Sequence, residues 1–141
     1  MDASARWFGR VMWLGIAANM IWAASAVLRP AAMIEFFRLD PATPFIWVRF
    51  AGWLLILLSL FYVPAAMAPG RASVNAWLSV AARFAGAMFF LSQIAWHALP
   101  SAYLPFGLTD LIFGVAQLVL LFALTRRARW TVPRTLPQTS I

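Results

Sequence analysis

The sequence has no cysteine and no lysine, a single histidine, and four acidic residues in 141. Without cysteine there is no disulfide framework, thiolate-bound zinc, iron–sulfur cluster or thiol nucleophile. His97 alone cannot supply a haem with two protein ligands, and it leaves a zinc site short of donors. It is expected to be a hydrogen-bonded imidazole near the membrane interface, and no metal site is predicted. The acids are Asp2, Glu35, Asp40 and Asp110, too scattered to read as a paired-carboxylate site. No nucleophile elbow, phosphate loop or two-histidine metal motif occurs. Charged residues amount to 11%, against about 25% in soluble domains. The balance leans away from an enzyme. No cofactor is predicted, although quinone, or haem held by His97 alone or across a dimer, stays open.

What is abundant is apolar surface. Hydrophobic residues make up 64% and aromatics 16%, including eight tryptophans, and eleven arginines leave a net charge of +7. A membrane-spanning helix needs about 20 mostly apolar residues. Four segments qualify, at about 7–28, 45–65, 75–99 and 105–125. Arg29-Pro30, Pro64 with Ala68-Pro69-Gly70-Arg71, and Leu99-Pro100-Ser101 punctuate them, and Pro105 suits a first helical turn. The reading is an all-α, integral membrane four-helix bundle in a single domain over 1–125. The first span, although preceded by Arg6 and Arg10, is long and interrupted by Trp13, Asn19 and Trp22, so it reads as a retained helix.

Arginine placement sets the expected orientation. Arg6, Arg10, Arg71, Arg126, Arg127, Arg129 and Arg134 gather at one side, while the other has only Arg29 and Arg38. Both termini are expected in the cytoplasm of a bacterium, with the chain in its inner membrane. Trp7, Trp77 and Trp130 would form the inner aromatic belt, and Trp47, Trp96 and Tyr103 the outer one. Between the first two spans, Met33, Ile34, Phe36 and Phe37 recur at helical spacing, with Pro30 to start a short helix and Asp40-Pro41 to end it. Such a helix would lie in the outer headgroup layer as a cap or a lid. Residues 126–141 turn basic and polar and read as a disordered cytoplasmic tail against anionic lipid. No soluble basic domain supports nucleic-acid binding.

Polar residues at membrane depth are costly and so informative. Counting about 1.5 Å per residue places Arg49 roughly 6 Å and Asp110 roughly 8 Å below the outer boundary. The expectation is an Arg49–Asp110 ion pair in a polar layer with Gln93, His97 and Asn19. This layer would serve either as interhelical glue or as the lining of an outward-facing cavity. Arg83 falls near the midplane with no acid at its level, so Ser59, Tyr62 and Gln117 are its expected partners.

Arg49-Phe50-Ala51-Gly52 recurs as Arg83-Phe84-Ala85-Gly86, entering from opposite sides as an inverted repeat would. Ala82 and Gly86 offer a small-residue seam for close helix contact. With four spans, Arg83-Phe84-Ala85-Gly86 in the third and Asp110-Leu111-Ile112-Phe113-Gly114 opening the fourth, the chain resembles the small bacterial membrane proteins of the DoxX-like kind. The resemblance implies a membrane partner of redox enzymes and assigns no role to individual residues. Three functions follow as expectations. The first is a non-catalytic accessory or scaffold subunit. The second is a small transporter or lipid-binding protein built on the Arg, Asp and Gln pocket, and the third a redox subunit contacting quinone. The expected partners are lipids together with other membrane subunits or a second copy.

Overall fold

The computed structural model describes residues 3–97 and 99–130. Helix α1 runs Ala3–Leu28, α2 Pro30–Phe37, α3 Ile46–Met67, α4 Ser73–Trp96 and α5 Leu104–Trp130, with a single 3₁₀ turn at Ser101–Tyr103 leading into α5. Among the described residues there is no strand. Four of the helices are long and apolar enough to cross a membrane, as judged by length and composition.

Proline explains most of the boundaries. Pro30 forces Arg29 out of helical geometry, at φ −138 and ψ 58, yet Arg29 still donates its N–H to the Ser25 carbonyl at 3.0 Å. Pro30 then occupies the first turn of α2, where its missing N–H is not needed. That helix ends in a Schellman turn. Arg38 adopts a left-handed conformation at φ 53, its N–H reaching Glu35 O at 3.1 Å, and the Leu39 N–H reaches Ile34 O at 2.9 Å. In α3, Pro64 lacks the donor for the Leu60 carbonyl. One residue on, the Phe61 carbonyl accepts a hydrogen bond from Asn75 Nδ2 at 2.8 Å, tying α3 to α4. Helix α4 stops at Trp96, where the backbone N–H groups of His97 and Leu99 both return to the Gln93 carbonyl. At the other end of the chain, α5 continues to Trp130, five residues past the expected boundary at Thr125. The expected disordered tail beyond it, residues 131–141, lies outside the described residues, as does the Trp130 side chain.

Helices α1 and α3 form one closely packed antiparallel pair, and α4 and α5 the other; α1 joins the pairs through α5. The α3–α4 interface is the thinnest of the ring. Each inward face is a stripe that mixes small residues with buried polar ones and a few large ones, spaced by helical turns. On α1 it includes Gly9, Gly15, Asn19 and Ala23, on α3 Gly52, Ser59, Tyr62 and Ala66, and on α4 Ala76, Ser79, Arg83 and Ala87. On α5 it is Gly107, Gly114, Gln117 and Leu121. Lipid gives apolar side chains no reason to hide, so close backbone approach and polar contacts hold such helices together. The large residues accordingly face outward, among them Ile21, Phe50, Trp53, Leu57 and Met88.

Two features make the bundle unequal along its length. Towards the end that carries the α3–α4 turn, Phe8, Met12, Ile16, Tyr62, Val80 and Leu121 close into a buried core. Towards the α2 end, aromatic rings replace aliphatic packing. Trp22 lies 4.6 Å from Phe37 and 4.5 Å from Phe106, and Phe90 stacks on Phe106 at 5.6 Å. The exposed Trp7 and Trp77 mark one end, and Trp47 and Trp96 the other.

Candidate functional site

The α4–α5 seam is set by glycines. Gly107 packs against Phe90 and Leu91, and Gly114 against the Arg83 Cβ and the Phe84 ring. This register places Asp110 beside Gly86, where any Cβ would collide with the Asp110 carboxylate. Arg83 lies one turn deeper on the same face as Gly86, and its side chain climbs back to the acid. Nη1 donates to Asp110 Oδ1 at 2.6 Å, forming an ion pair in which Arg83 is 3% exposed and Asp110 23%. Nη2 donates to the Gly15 carbonyl of α1 at 3.0 Å. Here too a glycine is required, because a Cβ at Gly15 would stand 2.9 Å from Nη2. The guanidinium carbon also lies 5.2 Å from the Phe113 ring centre and 5.8 Å from that of Tyr62, both within cation–π range. Arg83 thus touches all four long helices.

The expected pairing is therefore corrected: Asp110 pairs with Arg83, and Arg49 does not reach it. Arg49 follows Val48, which leans inward, and each helical residue turns about 100°, so Arg49 points out of the bundle and is exposed. Arg83 has a carboxylate and a backbone carbonyl as acceptors, instead of Ser59, Tyr62 and Gln117, of which only the Tyr62 ring touches it. Ser59 instead accepts from Asn19 Nδ2 at 3.0 Å, while donating to the Leu55 carbonyl at 2.8 Å. Gln117 is fully buried one layer below, where Ser79 Oγ lies 3.5 Å from its Oε1. His97 is exposed and Gln93 half-buried, and neither side chain joins the pair. Two buried donors, Arg83 Nε and Gln117 Nε2, have no hydrogen-bond partner among the described residues.

Above this polar floor lies a cavity of about 610 Å³, within the size range of small-molecule sites, about 300–1,000 Å³. Its floor is Asn19, Arg83 and Asp110. Its walls come from Trp22 and Ala26 of α1, Ala51 and Leu55 of α3, Phe90 of α4 and Phe106 of α5, and it is roofed by Met33 and Ile34 of α2 with the following Leu39–Ala42 segment. The exposed Leu54 and Leu58 belong to its rim, so it opens sideways along α3, beside the thin α3–α4 interface. Below the ion pair the buried core of Phe8, Met12 and Leu121 closes the bundle.

The repeated Arg-Phe-Ala-Gly segments share only their glycine role. Gly52 lets α3 approach Ala23 and Ala26 of α1 just as Gly86 lets α4 approach α5. Ala82, the other member of the anticipated seam, packs half-buried against the core. Gly86 is the close-contact glycine of that seam, and the structure adds that it makes room for the Asp110 carboxylate; Gly15 and Phe113 are site components that no motif in the sequence marks. Among the described residues, no group of three His, Asp or Glu could hold a metal ion. No protein-family model, curated protein or solved structure matches the chain.

Proposed function

We propose that this protein binds a lipophilic molecule from the bilayer, with an apolar body in the cavity between α3 and the α4–α5 pair and a polar end against the Arg83–Asp110 floor. The observation that carries the reading is the combination of a 610 Å³ apolar cavity with a buried ion pair at its base. A pair serving only as glue has no need of the open space above it, and Asp110 keeps part of its surface towards that space. The closed core beneath favours a binding site reached from one leaflet over a through-path.

The positive-inside rule supports a cytoplasmic location for the end carrying Arg6, Arg10, Arg71 and Arg126 in a bacterial inner membrane, and the cavity then faces the outer leaflet. The same cavity suits an accessory subunit that holds a lipophilic compound for a partner enzyme. The likeness to DoxX-like proteins, which rests on size, four spans and the two segments that carry Arg83 and Asp110, implies for such a subunit a redox enzyme as partner.

Native mass spectrometry from mild detergent tests the proposal. Wild-type protein should retain a lipophilic adduct that Ala51→Trp, which fills the cavity from an exposed lining position, removes without unfolding the bundle. Equal adducts in both proteins, or none in either, would refute it.

A further inference from the structure

The chemistry at the cavity floor is one-sided. Arg83 is 3% exposed, with Nη1 on Asp110 and Nη2 on the Gly15 carbonyl, and its unpaired Nε is itself buried out of reach of an entering group. Asp110 has given only Oδ1 to the guanidinium; Oδ2 rests over Gly86 and accepts no hydrogen bond from the described residues. The side chain that still shows surface at the floor is therefore the carboxylate, 23% exposed against 3% for its partner. Among the described residues, the only other charged one lining the cavity is a second acid, Asp40, near the roof. Thr109, also in the lining, has already given its hydroxyl proton to the Pro105 carbonyl at 2.7 Å. An entering head group thus meets an acceptor with a spare oxygen and an excess of negative charge, inside apolar walls that strengthen both effects.

On this basis, and resting on the binding function proposed above, we infer that the cavity selects amphiphiles whose head donates a hydrogen bond, an alcohol or a protonated amine, and rejects anionic heads. The head donates to Asp110 Oδ2, and the chain lies along Ala51 and Leu55 towards the aromatic wall. A carboxylate or phosphate head would face two acids, and Arg83 would have to abandon its existing partners to bind it.

The test uses three probes of one chain length, dodecanol, dodecylamine and dodecanoate, with dodecane as the headless control. Each is titrated into the full-length protein in the same detergent, with adducts read by native mass spectrometry. The alcohol and the amine should bind at least tenfold tighter than dodecanoate. In Asp110→Asn the amine should lose that preference, each affinity being taken relative to dodecane in the same variant. Dodecanoate binding as well as the other heads in wild type would overturn the selectivity, even if Asp110→Asn fails to fold. Failure of all four probes, dodecane included, would instead overturn the binding function on which the selectivity rests. A preference for amine over alcohol distinguishes charge recognition from hydrogen bonding alone.

Discussion

Removing the carboxylate of Asp110 isolates the most demanding group in the molecule. In Asp110→Ala the Arg83 guanidinium, 3% exposed in the wild type, keeps only the Gly15 carbonyl as an acceptor among the described residues, with two aromatic faces beside it. Breaking a buried pair by deleting one partner costs about 3–5 kcal/mol, chiefly through the stranded charge. Asp110 is partly exposed, which softens the loss and places it near the lower end, about 3 kcal/mol. Deleting both charges, in Arg83→Met with Asp110→Ala, strands nothing and should recover most of that cost. Arg49→Ala, at an exposed position with no carboxylate partner, should fall within about 0.5 kcal/mol of wild type. The assay is equilibrium unfolding, in mixed micelles with increasing SDS, of five proteins: wild type, Asp110→Ala, Arg83→Met, the double variant and Arg49→Ala. A large non-additive coupling between positions 83 and 110 supports the pairing. Additive effects, or an Arg49→Ala loss as large as that of Asp110→Ala, would refute it.

The glycines give a second contrast. Gly86→Ala should cost about 1–3 kcal/mol, because its Cβ meets the Asp110 carboxylate. Gly70→Ala, with nothing within 4 Å, should be neutral or stabilise by about 0.4–1 kcal/mol in the same unfolding assay. Arg38→Gly should stabilise by about 1 kcal/mol by removing a Cβ from a left-handed residue, measurable as a raised melting temperature. Because the chain has no cysteine, single-cysteine labelling can read its topology directly. With an impermeant maleimide on intact cells, Ser101→Cys should react, and Ser73→Cys should react only after lysis.

Much of the bundle is legible in the sequence because lipid imposes a length and proline imposes the breaks. The four spans and the short helix after Pro30 follow from those constraints alone. Which residues meet was harder to read. Helices that are apolar all round carry no amphipathic signal, so hydrophobic periodicity could not show that Arg49 faces outward and Arg83 inward. The small-residue stripes through Gly15, Gly52, Gly86 and Gly114 mark the inward faces instead, and they are diluted by alanines elsewhere on the same helices. Depth counting failed for a related reason. Ending the third span at Leu99 instead of Trp96 shifts its scale by three residues, about 4.5 Å. It also ignores the reach of an arginine, which spans the turn separating Arg83 from Asp110. Members of the two expected polar layers meet across them, Asp110 with Arg83 and Asn19 with Ser59.

An experimental structure in lipid nanodiscs, without added ligand, tests the central claim most directly. The account predicts elongated density between α3 and the α4–α5 pair that ends within hydrogen-bond distance of Asp110, with Arg83 still bound to the same carboxylate. A collapsed cavity with Leu55 packed onto Phe90, or Asp110 paired with Arg49, would contradict it.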